Sequence, residues 1–215
     1  MVMESINPAT GEVVEVFEEL SDDQLGLALN ASERAGTDWA GTPFSQRRDV
    51  LQRAAALLRE QKGELGALIT REMGKPVREA RAEVEKCAWV CEYYADEGEG
   101  FLADDPVASD ATRSYVRYAP LGTVLAVMPW NFPFWQVFRA AAPTLMAGNA
   151  MLLKHASNVP ACAARIEGLL DEAGLPVGVF QNLAIASSRV EGVIHDPRVR
   201  AVTLTGSEAA GRKVA

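Results

Sequence analysis

The sequence predicts an α/β fold in which helices cover a parallel sheet. In residues 115–215, short apolar runs alternate four times with helical stretches, which is typical of parallel strands joined by helical crossovers. In the first hundred residues, apolar side chains recur every three to four positions, which indicates helices. Ligands of such sheets bind at the carboxyl ends of the strands, so the residues that follow each strand are the candidates for function.

The first half is predicted to be mostly helical. Ser21, with Gln24 three residues later, has the pattern of a capping box that opens a helix towards Trp39. The other predicted elements are a turn at Asn7-Pro8 and Gly11, a strand over Val13–Phe17, a helix from about Ser45 that stops at Gly74 and Pro76, and a helix from Val77 to about Tyr94.

The second half is predicted to contain the parallel sheet. The predicted strands are Leu121–Met128, Met151–Lys154, Val179–Leu183 and Val199–Leu204. The predicted helices are about Phe134–Met146, Pro160–Ala173 and Ser188–Ile194, and one more that begins at Ser207. The polar segment Asp104–Ser114 lies between the two halves, and we expect it to be a linker or an outlying hairpin.

Composition excludes several classes of protein. The 215 residues are 48% hydrophobic and 23% charged, which is typical of a chain that folds around a core. The net charge is −8, and the first hundred residues hold 20 acidic against 11 basic side chains, so no nucleic-acid partner is expected. An anionic ligand is therefore expected to bind the second half.

We expect a cytoplasmic protein without a membrane segment. No apolar run reaches the roughly 18 residues of a membrane helix, and residues 1–9 do not have the pattern of a secretory signal. Cys87, Cys91 and Cys162 are too few for a disulfide framework and indicate a reducing compartment. Neither histidine lies at ligand spacing from these cysteines, so no metal site is predicted.

A loop rich in proline and aromatic residues follows the first strand of the sheet. Pro129 and Pro133 frame Asn131, so its amide is held in a stiff loop that suits an oxyanion donor. From composition alone, an ordinary aromatic turn with Pro133 at a helix start is the more frequent alternative.

The later strands end in residues that suit an anion. Lys154 follows a buried run and can reach a ribose or a phosphate, although single lysines at strand ends are more often solvated. Ser157 can cap the next helix. Gly206 and Ser207 open a helix whose free N–H groups favour an anion, although such starts are common and this is not a GxGxxG fingerprint.

Taken together and in this order, these segments resemble the aldehyde dehydrogenase superfamily. The resemblance spans nearly the whole chain, and its most specific part is the PWNFP motif at Pro129–Pro133. The run that contains Arg139 and His155 is most similar to the bacterial succinate-semialdehyde dehydrogenase branch. The matching segments are Ile6–Glu12, Arg71–Pro76, Tyr118–Pro133, Ala142–Ser157, Ala173–Leu183 and Leu204–Gly211.

The resemblance implies the NAD(P)-dependent oxidation of an aldehyde to a carboxylic acid, with succinate semialdehyde as the expected substrate. Asn131 matches the side-chain donor to the thiohemiacetal oxyanion. Arg139 matches the arginine that binds the distal carboxylate of the substrate, and a guanidinium fits a carboxylate bidentately. Without the resemblance, a surface arginine on an amphipathic helix is an equal alternative for Arg139.

The resemblance also implies a dinucleotide site. Ser157 stands where NAD-preferring members carry a glutamate, so NADP is favoured over NAD as the cofactor. The matching residues are Met128, Pro129 and Trp130 beside the nicotinamide ribose, Lys154 and Ser157 at the adenosine ribose, Gly178, Val179 and Phe180 at the adenine, and Gly206 and Ser207 at the pyrophosphate. Glu208 and Ala209 depart from the Thr-Glu that usually follows Gly-Ser in the family.

Two catalytic segments of the family have no counterpart before Ala215. The family's cysteine nucleophile lies in a GQxC-type segment and its glutamate base in an ELGG-type segment, and neither occurs in this chain. We therefore expect an amino-terminal coenzyme-binding region that lacks the catalytic domain and is inactive on its own. The alternative is a non-catalytic dinucleotide-binding or interaction module.

The resemblance divides the chain into three parts. Residues 1–103 form the helical and strand part of the coenzyme-binding domain. Residues 104–118 form an oligomerisation hairpin, which implies a homodimer or homotetramer. Residues 119–215 form the Rossmann-like coenzyme-binding core, which is incomplete at its C-terminus.

Overall fold

A computed structural model describes residues 2–214 of the chain. Within this range the strands are β1 (Val2–Ile6), β2 (Val13–Glu18), β3 (Asp105–Pro106), β4 (Tyr115–Val116), β5 (Thr123–Met128), β6 (Ala150–His155), β7 (Phe180–Asn182) and β8 (Val199–Leu204). The helices are α1 (Asp22–Ala40), α2 (Phe44–Glu60), α3 (Lys62–Met73), α4 (Val77–Phe101), α5 (Trp135–Met146), α6 (Pro160–Glu172), α7 (Val190–Ile194) and α8 (Glu208–Val214).

The predicted parallel sheet is confirmed. Its strand order is β7-β6-β5-β8, and all neighbouring strands run parallel. Val127 of β5 pairs with Lys154 on one side and with Leu204 on the other, so three strands end at the same edge. Each strand lies within two residues of its predicted bounds.

Successive residues of the central strands point to opposite faces of the sheet, and each face is buried. Leu125 and Leu152 belong to a smaller core that α1 and α7 cover. Ala126 and Leu153 belong to the main core, which α2 to α6 share. This alternation follows from the two-residue period of a strand.

Small side chains let α4 pack closely in the main core. Cys87, Ala88, Cys91 and Ala95 are fully buried and share one face of the helix. The prediction that Cys87 and Cys91 are core residues is therefore confirmed. Among residues 2–214, no helix combines the length and the hydropathy needed to cross a membrane.

One prediction for the first half is corrected. The single helix expected from Ser45 to Gly74 is two helices, which meet at Gln61 because the backbone there (φ −93°, ψ 10°) leaves the helical conformation. No element was predicted before Asn7, where Val2–Ile6 forms a strand that pairs antiparallel with β2. The capping box of Ser21 and Gln24 is confirmed, with both hydrogen bonds present.

The segment between the two halves forms the hairpin that was one of its two predicted forms. β3 pairs antiparallel with β4, and Arg117 binds the Asp104 carboxylate through two nitrogens at 2.8 and 2.6 Å. Tyr115 and Val116 are exposed, so this hairpin presents an uncovered strand edge.

The cap of α6 differs from its prediction. The helix begins at Pro160, as predicted, but Ser157 does not cap it, and the free N–H groups of its first turn bind a side chain from another helix. The buried Glu72 carboxylate on α3 accepts hydrogen bonds from the N–H groups of Ala161 at 2.8 Å and Cys162 at 2.7 Å. A carboxylate at a helix N-terminus also interacts favourably with the helix dipole.

Candidate functional site

A cavity of about 520 Å³ lies at the edge where the parallel strands end. Val127 and Leu204 form its floor at the ends of β5 and β8, and Lys154 enters it from β6. Its remaining walls come from the Ser187–Glu191 region and from α8. This is the place where an α/β sheet of this kind binds its ligands.

Lys154 is buried, with only 4% of its surface exposed. Its Nζ donates a hydrogen bond to the carbonyl oxygen of His155 at 2.6 Å, and no carboxylate of the described residues forms an ion pair with it. Burial lowers the pKa of the Lys154 ammonium, and the charge of Glu19 opposes this effect. A buried cation without an anion is unfavourable, so this cavity has the electrostatic character of an anion site.

The loop that carries Asn131 lies at the same edge, between β5 and α5. The Asn131 side chain is exposed, and the neighbouring Trp130 and Phe132 rings are about half exposed. Two contacts fix the end of the loop. The Glu83 carboxylate accepts the N–H groups of Phe134 at 2.9 Å and of Trp135 at 3.0 Å.

The Glu83 carboxylate is itself neutralised inside the protein. It forms a buried ion pair with Lys75, and the Lys75 Nζ lies 3.6 Å from the centre of the Phe132 ring. A buried carboxylate needs such partners, because an unpaired charge is strongly destabilising in the interior. Lys75 and Glu83 therefore fix the loop from the protein interior, while Asn131 remains exposed and accessible to a ligand.

Arg139 lies on the exposed side of α5, one to two turns after the loop. Its guanidinium donates a hydrogen bond to Thr205 Oγ1 at 2.7 Å, which links α5 to the residue after β8. Lys86 of α4 lies near the same helix, with its Nζ 3.9 Å from the centre of the Trp135 ring. Two cations therefore lie at or beside α5, the helix that follows the loop.

The other predicted site residues are divided between this edge and the interior. Ser157 is exposed and lines a second cavity of about 430 Å³. Gly206 and Ser207 are exposed where β8 ends, and Ser207 Oγ accepts the Ala210 N–H at 3.2 Å. The Met128 side chain is buried in the main core, so only its backbone faces this edge.

Gly178, Val179 and Phe180 do not lie at the site, and their assignment to the adenine is corrected. They come at the amino end of β7, opposite to the edge where Lys154 lies. Val179 is fully buried, and Gly178 (φ +91°) packs against the backbone of Ala31 on α1. These residues join the sheet to α1 and leave no surface for a ligand.

The segment that follows β7 takes the place of these residues in the cavity wall. Ser187, Ser188, Val190 and Glu191 line it. The sequence did contain a signal for them, because they follow the carboxyl end of a correctly predicted strand. The adenine was instead assigned to residues at the amino end of that strand.

The cysteines have no place in this site. Cys87, Cys91 and Cys162 are buried, and burial raises the pKa of each thiol. The nucleophilic thiolate form is therefore disfavoured at all three positions. Within the part of the chain that the structure describes, no three His, Cys, Asp or Glu side chains are grouped in a way that suits a metal ion.

Comparison with known proteins identifies the class of this fold and site. The model of the aldehyde dehydrogenase family matches residues 1–215. The chain belongs to the aldehyde dehydrogenase family.

Individual relatives agree with the family assignment. A protein of Synechocystis described as a probable succinate-semialdehyde dehydrogenase [NADP(+)] is 49% identical over 215 residues, which are 100% of this chain and 47% of the relative. A solved structure of Gox0499 has a TM-score of 0.97 at 38% identity and covers 100% of this chain and 47% of its own.

A second solved structure, succinic semialdehyde dehydrogenase of Streptococcus pyogenes with NADP+, has a TM-score of 0.95 at 37% identity. It covers 99% of this chain, and the match covers 47% of the Streptococcus chain. The present chain thus spans about half the length of these relatives.

The His155 ring is expected to make folding sensitive to acid. Its Nδ1 accepts the Ala156 N–H at 2.9 Å and its Nε2 lies 2.8 Å from the Pro133 carbonyl oxygen, so the neutral ring suits both contacts. Burial lowers the pKa of His155 from 6.5 to about 4. Between these pH values the unfolded chain binds a proton that the folded chain does not, so stability falls as the pH falls.

The expected loss in the free energy of unfolding is up to about 3 kcal/mol from pH 6.5 to pH 4. Urea unfolding across this range measures it. His155→Gln should flatten the pH dependence, whereas His195→Gln, at an exposed histidine, should leave it unchanged. An identical slope in all three proteins would show that His155 is not responsible.

Proposed function

We propose that this chain supplies the cofactor site and the oxyanion donor of an NAD(P)-dependent aldehyde dehydrogenase that oxidises succinate semialdehyde to succinate. The observation that carries the proposal is Lys154, a buried cation without a carboxylate partner at the carboxyl edge of the sheet. The anion that completes it is a dinucleotide, with NADP favoured over NAD. The Synechocystis and Streptococcus relatives, both described with NADP, support this choice.

The residues around the cavity fit such a cofactor. Lys154 and Ser157 would hold the adenosine ribose, and Gly206 and Ser207 would meet the pyrophosphate with backbone N–H groups. Pro129 and Trp130, with the Met128 backbone, would border the nicotinamide ribose. When bound, the nicotinamide ring accepts the hydride that leaves the substrate.

The loop and α5 would position the aldehyde. Asn131 is free to donate its side-chain N–H to an oxyanion, because the loop is fixed by Glu83 and His155 rather than by the amide itself. Arg139 would bind the distal carboxylate, and Lys86, which lies over the Trp135 ring, would add a second positive charge near α5. A short aldehyde with a carboxylate fits this pattern of charge.

We also propose that the hairpin of β3 and β4 joins a partner subunit. Its exposed edge, with Tyr115 and Val116, can accept another strand, which gives a homodimer or homotetramer. Residues 1–103 and 119–215 would then form the coenzyme-binding domain on one side of this contact.

The Lys154 ammonium is expected to provide much of the affinity for the dinucleotide. Lys154→Met keeps the length of the side chain and removes its charge, so NADP+ should bind about ten- to a hundredfold more weakly. Isothermal titration of the chain with NADP+ measures the change. The control is Lys62→Met, at a remote and partly exposed lysine on α3. Equal affinities in the two variants would contradict the proposal.

Ser157 is expected to permit the 2′-phosphate of NADP+. Ser157→Glu places a negative charge beside that phosphate and should weaken the binding of NADP+ about tenfold, with a smaller effect on the binding of NAD+. Paired titrations with the two dinucleotides give the ratio of affinities. A ratio that does not change on substitution would remove Ser157 from the selection of cofactor.

Arg139 is expected to select a substrate with a carboxylate. In an enzyme that contains this chain with the family's nucleophile and base, Arg139→Ala should raise KM for succinate semialdehyde about ten- to a hundredfold. For an uncharged aldehyde such as butanal, KM should change little. Steady-state kinetics with both substrates tests this, and equal losses on both would argue against a role in specificity.

The 215-residue chain alone is expected to bind dinucleotide without oxidising aldehydes, because its three thiols are buried and protonated. The measurement is NADPH formation by the purified chain with succinate semialdehyde. A version with all three cysteines replaced by alanine is the control. Turnover that disappears in the control would identify one of these cysteines as a nucleophile.

A further inference from the structure

The cavity beside Ser157 continues the one that Lys154 enters. Ser187 lines both cavities, so the two are adjacent at the edge of the sheet. The walls of the second cavity come from Ser157 and Asn158 after β6, and from the first residues of the chain. Glu19, between β2 and α1, completes the wall. A group attached to the adenosine ribose at Lys154 would extend into this second cavity.

Glu19 brings a negative charge to that position. Its side chain is half-buried, and within residues 2–214 it forms neither a hydrogen bond nor an ion pair. The nearby Arg189 does not neutralise it, because the Arg189 guanidinium binds the Leu20 carbonyl and the Asp22 carboxylate. Its charge acts on Lys154, since it opposes the lowering of the Lys154 pKa.

Another carboxylate, Glu4, lines the same cavity from β1. It is exposed, so water screens its charge more strongly than that of Glu19. Glu19 is therefore the stronger of the two charges that a ligand would meet there. Lys154 attracts an anionic ligand to the first cavity, and Glu19 repels an anionic group that extends into the second.

We propose that Glu19 is a specificity-determining residue for the cofactor, because it repels the 2′-phosphate of NADP+ and so limits the preference for NADP+ that Ser157 permits. This proposal rests on the proposed function, since it assumes that the adenosine ribose lies at Lys154. NAD+ carries a neutral hydroxyl group at the 2′ position, so Glu19 leaves its binding nearly unaffected. The preference for NADP+ is then smaller than Ser157 alone would give.

Two small ligands isolate the contribution of the 2′-phosphate. Adenosine 2′,5′-bisphosphate and adenosine 5′-monophosphate differ only in that group, and both are titrated into the 215-residue chain by calorimetry. At low salt, Glu19→Gln should raise the affinity for the bisphosphate about three- to tenfold and change the affinity for the monophosphate less than about twofold. High salt should reduce the gain.

A matched control separates a local effect from the change in net charge. Glu18→Gln removes the same charge one residue earlier, at an exposed position that does not line either cavity. It should leave both affinities nearly unchanged. Glu19→Lys, which reverses the charge, should raise the affinity for the bisphosphate more than Glu19→Gln does.

The outcomes distinguish this proposal from the one on which it rests. If both ligands bind and Glu19→Gln behaves like Glu18→Gln, Glu19 does not select the cofactor, and the dinucleotide site stands. If neither ligand binds the unsubstituted chain, the dinucleotide site and the role of Glu19 are both overturned. A gain in affinity that is specific to the bisphosphate supports both the dinucleotide site and the role of Glu19.

Discussion

The edge of the sheet that carries the site depends on one interaction, the capture of helix N-termini by buried carboxylates from the helical layer. Glu83 of α4 accepts the N–H groups of Phe134 and Trp135, and Glu72 of α3 accepts those of Ala161 and Cys162. The N-termini of α5 and α6 have no side-chain cap of their own. The carboxylates satisfy these donors and complement the helix dipoles.

This arrangement explains why the first hundred residues matter to a site that lies in the second hundred. Lys75 neutralises Glu83 and contacts the Phe132 ring, so one ion pair supports the C-terminal end of the loop that carries Asn131. On the other side, His155 contacts the Pro133 carbonyl and follows directly after Lys154. The oxyanion donor and the buried lysine are thereby fixed relative to each other. Preorganisation of this kind is what an oxyanion site requires.

The sequence predicted those features that arise from neighbouring residues. The capping box at Ser21 and the strand over Val199–Leu204 follow from local pattern and were found as predicted. Features that depend on distant residues were not predicted. Nothing near Glu72 in the sequence indicates that it caps a helix that begins at Pro160, so the cap was assigned to Ser157. In the same way, nothing in the acidic composition of the first half indicates that Glu72 and Glu83 are buried.

The candidate site was likewise predicted only in part. The residues after β5, β6 and β8 lie together at one edge because parallel strands share a direction, and this could be inferred from the alternation of strands and helices. The burial of Lys154 could not be inferred, because it depends on residues distant in the sequence, such as those of α7 and α8 that line the same cavity. The adenine residues were placed at the wrong end of β7, where Gly178 must pack against α1.

Residue-resolved hydrogen exchange is the most direct test of the role of Glu83. The amides of Phe134 and Trp135 are compared in the unsubstituted chain, in Glu83→Ala, which removes the acceptor, and in Glu79→Ala, at an exposed carboxylate on the same helix. We expect Glu83→Ala to lower protection at these two amides at least tenfold, about 1.4 kcal/mol. The amides within β5 and β6 should keep their protection, and Glu79→Ala should have no effect. Protection at Phe134 and Trp135 that survives in Glu83→Ala would contradict the claim that this carboxylate holds the loop.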